Sequence, residues 1–366
     1  MLDTFISPLV LTKIRVPAIR LRLVTRPRLL EMLESQNGER FTLVSAPAGY
    51  GKTTLLKEWA QVLLGKGMAL AWYSLDASDD DPIPFSAYLI GSLAQALGDS
   101  SELQHLQQLM RTSPEMDIQK IVQLTINAIL LSKRDSVLIL DDYHLISSPK
   151  VHLAVAYLLE HLPENMRVVI GSRTDPPLPL GRMRARGDML EIRMDQLCFT
   201  ESETEIFLND LMQLFLSGNE VFSLRERTEG WIAGLQLAAL SLSGRDDKEK
   251  VIESFSGSSR LLKDYLFEEV FARQTRQEQT FLLTTSILER MCAPLCEVLL
   301  SSHSGSGEIL KKLEQANLFV VALDEEGIWY RYHHLFGEFL RNRLDKEDPG
   351  RIAALHRAAS SLTNKN

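Results

Sequence analysis

The chain of 366 residues is 45% hydrophobic and 24% charged, a composition typical of a globular protein and a length that suits two or three domains. Its net charge of −8 argues against broad nonspecific binding of nucleic acid. Three cysteines are too few for a disulfide framework, no apolar run approaches membrane-spanning length, and the N-terminal residues lack the basic start of a secretion signal. We therefore expect a cytoplasmic protein without membrane contact, in which Cys292 and Cys296 are buried thiols.

Residues 13–28 contain basic side chains and no acidic ones. Pro17 and Pro27 break any long helix here, and Pro27 suits the first turn of a helix that starts at that position. The pattern leaves two interpretations open: a solvated basic arm, or a segment that places Val24 and Arg26 beside the nucleotide that the next motif predicts. The basic residues are Lys13, Arg15, Arg20, Arg22, Arg26 and Arg28.

Residues 46–54, with the sequence APAGYGKTT, match the phosphate-binding pattern G-x-x-x-x-G-K-[ST], except that Ala46 replaces the first glycine. An apolar run at 41–44 and an amphipathic segment at 55–64 flank this phosphate loop, which predicts the strand, tight turn and helix that the motif requires. Gly49 and Gly51 permit a backbone whose N–H groups point at a phosphate, and the positive end of the following helix adds to the attraction.

Within the phosphate loop, Lys52 would reach the β- and γ-phosphates, and the Thr53 hydroxyl would bind Mg²⁺. The predicted nucleotide-contacting residues of the loop are Ala48, Gly49, Tyr50, Gly51, Lys52, Thr53 and Thr54.

Short apolar segments then alternate with helical ones. Strands are predicted at 68–75, 137–140, 168–171 and 189–193, and helices at 85–97, 118–131 and 151–162. This alternation predicts an α/β domain with a parallel sheet covered by helices on both faces. Ligands of such sheets bind at the carboxyl ends of the strands.

Charged residues follow three of these segments. Asp141 directly follows an apolar strand and is placed to hold Mg²⁺, while the neighbouring Asp142 can orient an attacking water. Arg173 follows the next strand and could contact a γ-phosphate. Arg182, Arg184 and Arg186 follow three prolines in a predicted loop, and spacing alone does not decide whether this loop faces the nucleotide or solvent.

An acidic run precedes Pro82 and the helix predicted at 85–97. We expect these carboxylates to cap that helix and to face solvent. The run consists of Asp76, Asp79, Asp80 and Asp81.

The pattern changes at Thr200, where Thr200 and Glu203 have the spacing of a capping box and helices follow one another without strands. Two short strands at 318–323 and 328–332 then flank an acidic turn at 324–327, which predicts a β-hairpin. Helices closed by a hairpin suggest a winged-helix domain. Such domains usually bind DNA, but the acidity of this chain argues against that role here.

Taken together, these residues resemble the STAND class of regulatory P-loop ATPases, and within it the MalT-like branch of large LuxR-type bacterial transcription activators. The resemblance covers nearly the whole chain and depends on the order of several short motifs. They are VTR at 24–26, the phosphate loop, WYSLD at 72–76, LILDDYH at 138–144, GSR at 171–173, GW at 230–231, TSIL at 285–288 and YHHLF at 332–336.

The resemblance implies four segments: a nucleotide-binding domain at 1–199, a helical domain at 200–275, a winged-helix domain at 276–346 and the start of a helical arm at 347–366. It also implies that ADP is buried among the domains in the resting state. Relatives continue into a helical sensor arm and a C-terminal helix-turn-helix, so we expect this chain to be the ATPase core of a longer protein.

By position, Val24 and Arg26 resemble contacts on the adenine side, Arg173 resembles a phosphate sensor, and Arg184 resembles an arginine needed for hydrolysis. His333 resembles the winged-helix histidine that contacts the ADP phosphate and keeps the domains closed. Ile232 stands where many relatives have a proline near the adenine, a departure from the family pattern.

We therefore expect an ATP- and ADP-binding switch, closed with ADP and open to self-association with ATP, whose weak Mg²⁺-dependent ATPase activity resets it. Two alternatives are a ring-forming, motor-type P-loop ATPase and a winged-helix DNA-binding protein with secondary nucleotide binding. The position of His333 after the hairpin favours the switch, and the net charge of −8 disfavours direct contact of this segment with DNA.

Overall fold

A computed structural model describes residues 9–18, 23–35, 38–98, 100–112, 116–300 and 305–363. Arg20 and Arg22 lie outside the described residues. The chain divides into two compact units. The first contains residues 9–18, Thr25–Ala46 and Gly51–Leu197, and the second contains residues 23–24, Pro47–Tyr50 and 198–363.

The first unit contains a parallel five-stranded sheet in the order β2-β3-β4-β1-β5, which confirms the predicted α/β fold. The strands are β1 (Phe41–Ser45), β2 (Ala69–Ser74), β3 (Ser136–Asp141), β4 (Met166–Ser172) and β5 (Met189–Ile192). Every residue of β3 is buried, as expected for a central strand covered on both faces. Because β3, β4 and β1 are neighbours, the residues that follow them meet at one edge of the sheet.

Eight α-helices accompany this sheet within the part of the first unit that the structure describes: α1 (Pro27–Glu34), α2 (Lys52–Gly65), α3 (Pro82–Leu97), α4 (Ser101–Thr112), α5 (Ile118–Ser132), α6 (Pro149–Glu160), α7 (Leu180–Arg186) and α8 (Met194–Leu197). Helix α1 begins at Pro27 as predicted. The prediction of a loop around Arg182, Arg184 and Arg186 is wrong, because these residues belong to α7. Pro179 is its N-cap, where the absence of an N–H group costs nothing, and Gly187 ends it with φ 68°.

Helices dominate the second unit, and a two-stranded hairpin follows most of them, as the sequence predicted. The helices are α9 (Glu201–Glu205), α10 (Gly218–Thr228), α11 (Ile232–Leu242), α12 (Lys248–Ser254), α13 (Arg260–Leu266), α14 (Arg276–Thr285), α15 (Ala293–Leu300), α16 (Ser306–Gln315), α17 (His334–Glu347) and α18 (Arg351–Thr363). Two π-helical segments, Ile206–Leu211 and Phe267–Phe271, continue α9 and α13. The capping box of Thr200 and Glu203 is present at the start of α9.

The hairpin of the second unit consists of β6 (Val320–Ala322) and β7 (Tyr330–Tyr332), paired antiparallel so that Val320 lies opposite Tyr332. The Asp324 carboxylate closes the turn by accepting hydrogen bonds from the backbone N–H groups of Ile328 and Trp329. Helices α14 to α16 precede this hairpin and α17 follows it, which is the element order of the predicted winged helix.

The acidic run before α3 differs from the prediction at Asp79. Asp81 caps α3 as expected, by accepting a hydrogen bond from the Ile83 N–H group. Asp79, in contrast, is fully buried, and both of its carboxylate oxygens lie 2.6 Å from Nζ of Lys13. A buried carboxylate is stable only with such a partner, so Lys13 fixes residues 9–18 against the sheet and is not part of a solvated arm.

We expect Lys13→Met to destabilise the protein by about 3 kcal/mol, because it leaves the Asp79 carboxylate buried without its cation. Urea unfolding monitored by far-UV circular dichroism measures the shift. Arg15→Met, at an exposed position of the same segment, is the control and should change stability by less than about 0.5 kcal/mol. Equal stabilities of the two variants would contradict the role given to the buried pair.

Candidate nucleotide-binding site

The phosphate loop has the backbone that its glycines were expected to provide. Gly49 and Gly51 have φ angles of 80° and 79°, in the left-handed region that side chains disfavour. Gly51 is the N-cap of α2, so the helix begins at Lys52 and directs the N–H groups of its first turn at the loop. This arrangement suits an anion at the start of α2.

Lys52 lies at the base of this loop and is only 7% exposed. Its ammonium group donates a hydrogen bond to the Ala46 carbonyl oxygen over 2.8 Å. Burial, and after it the charge of Arg173, lower the pKa of Lys52 to about 8 against the opposing carboxylates of Asp142 and Asp141. A phosphate beside Lys52 would supply the negative charge that this buried cation favours.

Asp141, at the end of β3, is 2% exposed and accepts hydrogen bonds from the Thr53 hydroxyl and, over 3.1 Å, from the Asp142 N–H group. Burial, with the neighbouring charge of Asp142, raises the pKa of Asp141 to about 6. Gly171 on the adjacent β4 leaves room for this carboxylate, because a Cβ atom there would lie 2.7 Å from Oδ1 of Asp141. Glycine at position 171 is therefore needed so that the Asp141 carboxylate fits beside β4.

Thr53 and Asp141 together present the hydroxyl and carboxylate oxygens that Mg²⁺ prefers. Among the described residues, no group of three or more His, Cys, Asp or Glu side chains could hold a metal. A two-residue site still fits Mg²⁺, which usually keeps several waters and takes its other ligands from phosphates. Asp142 adopts a left-handed conformation, with φ 60°, and its side chain is 42% exposed.

The two arginines predicted to act on phosphate differ in their surroundings. Arg173 directly follows β4, is half-buried, and lies close enough to Lys52 to affect its pKa. Arg184, on α7, forms ion pairs with Glu191 and, at 3.6 Å, with Asp175. Arg193 also belongs to this cluster of charges through Asp175 and Glu191, and the cluster was not predicted from the sequence.

Arg26, one of the two residues predicted on the adenine side, is 4% exposed. Its guanidinium group donates hydrogen bonds to the carbonyl oxygens of Leu197, over 2.7 Å, and Gln196, over 3.3 Å. The interpretation as a solvated arm is therefore wrong for Arg26 as well as for Lys13. Val24 is 7% exposed and belongs to the second unit.

Residues 47–50 of the phosphate loop belong to the second unit and are held there by the start of α11. The indole N–H group of Trp231 donates to the Ala48 carbonyl oxygen over 3.1 Å, and the Ala233 N–H group donates to the Gly49 carbonyl oxygen over 3.0 Å. A Cβ atom on Gly49 would lie 2.5 Å from Cβ of Ala233. Contacts this close require glycine at position 49 for space as well as for its φ angle.

An aromatic cluster surrounds this segment. The Tyr50 ring is 1% exposed, and its centre lies 6.4 Å from that of Trp231 and 6.1 Å from that of Phe319. Phe319 has φ 54°, a left-handed conformation that is costly for a bulky residue and persists only where the surroundings enforce it. The cluster was missed from the sequence because its members are distant along the chain and have no common local pattern.

His333 completes the cluster at the N-cap of α17 and is 1% exposed. Its ring centre lies 5.8 Å from that of Trp231 and 5.6 Å from that of Phe319. Nε2 lies 3.1 Å from the Thr228 carbonyl oxygen, and since a carbonyl only accepts, Nε2–H is the donor. Burial lowers the pKa of His333. The neutral ring therefore presents an unprotonated Nδ1, which is buried and has no hydrogen-bond partner within the described ranges.

His334 has a different environment, because its side chain is 52% exposed and its Nε2 lies 3.2 Å from Oε1 of Glu338. Its backbone N–H group donates to Glu229, which also forms a two-pronged ion pair with Arg331 at 2.7 and 2.8 Å. Burial alone would raise the pKa of Glu229, but the hydrogen bonds from Arg331 and the His334 backbone hold it below its usual value. Glu229 and Arg331 thus connect the end of α10 to β7.

Comparison with protein families agrees with this geometry. Residues 24–170 match the AAA ATPase domain, and residues 267–352 match the MalT winged helix domain. Among solved structures, a Walker-type ATPase of Pyrococcus abyssi has the same fold, with a TM-score of 0.60 at 14% identity over 89% of this chain and 98% of that one. Fold and loop together define a P-loop ATPase domain followed by helices and a winged helix.

The chain belongs to the MalT-like ATPases of the STAND class. It is 35% identical over 342 residues to the HTH-type transcriptional regulator MalT of Klebsiella pneumoniae, a match that covers 92% of this chain and 37% of that protein. It is also 30% identical over 344 residues to the serine/threonine-protein kinase PknK of Mycobacterium tuberculosis, covering 94% of this chain and 31% of that protein. The chain thus spans about a third of the length of these relatives. No helix in the described ranges is both long and apolar enough to cross a membrane.

We expect Gly49→Ala to destabilise the protein more than Gly187→Ala. Both glycines have a positive φ, but only Gly49 has atoms within 4 Å of the added Cβ. The left-handed backbone should cost about 1 kcal/mol at either position, and crowding against Ala233 and Trp231 should add roughly 1–3 kcal/mol at Gly49. Urea unfolding monitored by tryptophan fluorescence measures both. Equal losses would contradict the close packing of residues 48–50.

Proposed function

We propose that this chain is the ATP- and ADP-binding switch module of a cytoplasmic bacterial transcription regulator. ADP holds it closed, ATP opens it to self-association, and slow Mg²⁺-dependent hydrolysis returns it to the closed state. In the full-length regulator, a sensor arm and a DNA-binding domain would follow the four segments expected from the sequence, at 1–199, 200–275, 276–346 and 347–366. The division of the structure after Leu197 supports the first of these boundaries.

The observation that carries this proposal is the position of Trp231, which bonds the Ala48 carbonyl and also packs against His333. A residue after α10 thereby connects residue 48 of the phosphate loop to the N-cap residue of α17. A ligand that fills the loop and also bonds His333 would stabilise this packed arrangement selectively. Such differential affinity is what allows a ligand to shift an equilibrium between two states.

The residues of the first unit have separate tasks in this proposal. Lys52 and the N–H groups at the start of α2 would bind the β-phosphate. Thr53 and Asp141 would hold Mg²⁺, which supplies charge neutralisation between the phosphates when bound. Asp142 would orient the attacking water, and Arg173 would distinguish ATP from ADP by contact with the γ-phosphate. Val24 and Arg26 would lie on the adenine side, and Arg184 would assist hydrolysis after leaving its partners Glu191 and Asp175.

His333 has a particular requirement because a phosphate oxygen accepts hydrogen bonds and the unpaired Nδ1 of the neutral ring also accepts. Contact with phosphate therefore needs a proton on Nδ1, while Nε2–H remains bonded to the Thr228 carbonyl. The neighbouring charges act on the pKa of His333 in opposite directions: Glu229 raises it, and Arg331 and His334 lower it. ADP binding would thus raise the pKa of His333 and take up a proton.

The winged helix is proposed to act in domain closure without direct DNA contact. Its hairpin turn carries Asp324, Glu325 and Glu326, which would repel the phosphates of DNA. This acidic turn supports the switch over a DNA-binding role for this segment.

Lys52→Ala should abolish nucleotide binding or weaken it severely, because it removes the buried cation of the loop. Asp141→Asn should lower affinity for Mg²⁺–ATP more than for ADP, since ADP can be held without a γ-phosphate. Isothermal titration calorimetry with each nucleotide separates these outcomes and tests the proposed function directly. An equal loss of both affinities in Asp141→Asn would refute the metal role of this residue.

His333→Ala should release ADP roughly ten- to a hundredfold faster, because a hydrogen bond to a charged phosphate contributes about 1.5–3 kcal/mol. In the unmodified chain, release should slow as pH falls from 8 to 6, since the bound state holds an additional proton on His333. Stopped-flow release of a fluorescent ADP analogue measures the rate and its pH dependence.

His334→Ala is the matched control: its release rate at pH 8 should equal that of the unmodified chain, and release should still slow as pH falls. If only His334→Ala accelerates release, the two histidines have been assigned in the wrong order. If neither variant changes the rate, the winged helix does not control nucleotide release.

A further inference from the structure

Phe215 is displayed on the surface of the second unit. The residue is 82% exposed, whereas Leu214 and Leu216 on either side are 4% and 6% exposed. The two buried leucines anchor the segment between the π-helical turn and α10 and leave the phenyl ring in solvent. An exposed aromatic ring can serve as the anchor of a protein contact when it fills a pocket of the partner.

The segment holds Phe215 in a fixed conformation. Gln213 and Phe215 have φ angles of 55° and 53°, a conformation that non-glycine residues keep only where the structure enforces it. Asn209 enforces it by donating to the Leu216 carbonyl oxygen over 2.9 Å and accepting from the Leu216 N–H group over 2.7 Å. Lys248 also donates to the Leu214 carbonyl oxygen over 2.7 Å. A preorganised ring of this kind loses little conformational entropy when a partner binds it.

The stretch of chain around Phe215 is mostly acidic, with Lys248 as a positive charge bonded beside it. The sequence contains no lysine or arginine from 201 to 224, and the charged residues there are Glu201, Glu203, Glu205, Asp210 and Glu220. A partner surface should therefore combine an apolar hollow with positive charge.

The second unit itself carries such a surface, in the groove between α13, its π-helical continuation and α17. The groove has a volume of about 260 Å³, more than the cavity of about 150 Å³ that accepts a benzene ring in other proteins. Phe267 and Phe339 contribute its apolar lining, and the Arg343 guanidinium lies 4.8 Å from the Phe267 ring centre.

The charge at this groove is positive on balance. Lys263, Lys346 and Arg343 outnumber Asp264 and Glu347 among the lining residues, and Glu347 already pairs with Arg343 at 2.7 Å. The exposed lysines at its rim complement the acidic residues around Phe215.

We propose that Phe215 of one copy inserts into the α13–α17 groove of a second copy when the protein self-associates. This contact rests on the self-association included in the proposed function and names the surfaces that carry it. The high exposure of Phe215 excludes occupation of the groove of its own chain in this conformation. Since ring and groove are different surfaces of one chain, the contact is head-to-tail and leaves each copy able to bind a further one.

Phe215→Ser should weaken ATP-dependent association at least tenfold, because burial of a phenylalanine side chain typically contributes a tenfold or greater change in an association constant. Phe222→Ser, at a 51% exposed phenylalanine on α10, is the matched control and should associate normally. Analytical ultracentrifugation with ATP and Mg²⁺ measures association, and calorimetry on the same samples verifies that each variant still binds nucleotide.

Disulfide trapping locates the contact. A Phe215→Cys variant mixed with a Lys346→Cys variant should form a crosslinked heterodimer with ATP, and neither variant alone should do so above the background of the native cysteines. Normal association of Phe215→Ser, or no crosslink in the mixture, would overturn this contact alone. A chain that binds nucleotide yet stays monomeric would overturn both the contact and the self-association from which it follows.

Discussion

The proposed switch depends on two hydrogen bonds to the phosphate loop. Trp231 donates one to the Ala48 carbonyl oxygen, and Ala233 donates the other to the Gly49 carbonyl oxygen. Two hydrogen bonds and the lack of space for a Cβ atom at Gly49 fix residues 48–50 in one conformation. A phosphate loop binds only when its N–H groups point inward, so whatever fixes these residues also affects nucleotide affinity. The connection between loop and winged helix is therefore made through packing and hydrogen bonds of the protein itself.

Several polar groups near this loop are buried in a way that costs stability and that a charged ligand would compensate. Burial lowers the pKa of Lys52 to about 8 and raises that of Asp141 to about 6, so each ionised group is destabilised relative to water. His333 keeps a buried Nδ1 that has no hydrogen-bond partner among the described residues. Unsatisfied and desolvated groups of this kind commonly mark functional sites, where binding supplies the missing interaction.

Features that depend on local sequence could be predicted well. The apolar runs predicted the parallel strands, and the glycine-rich pattern predicted the positive φ angles of the phosphate loop. The binding rule for parallel sheets placed Asp141 and Arg173 at the carboxyl edge of the sheet. Helix α7 was missed because three prolines suggested a loop, although proline is tolerated at a helix start.

Interactions between distant residues could not be predicted. Lys13, which pairs with the buried Asp79, is 66 residues away from it in the sequence. Glu229 and Arg331 are 102 residues apart, and no local pattern connects either pair. The aromatic cluster of Tyr50, Trp231 and Phe319 could not be predicted for the same reason. His333 could be separated from His334 only through the family resemblance, and the structure shows the physical difference as burial of one ring and exposure of the other.

The identity of the nucleotide retained by the purified protein tests the closed switch most directly. The protein, prepared without added nucleotide, is denatured, and the supernatant is separated by anion-exchange chromatography and quantified against protein concentration. A closed module in which loop and winged helix enclose the ligand should release close to one ADP per chain. Protein that is consistently empty and binds added ADP only weakly would contradict the account.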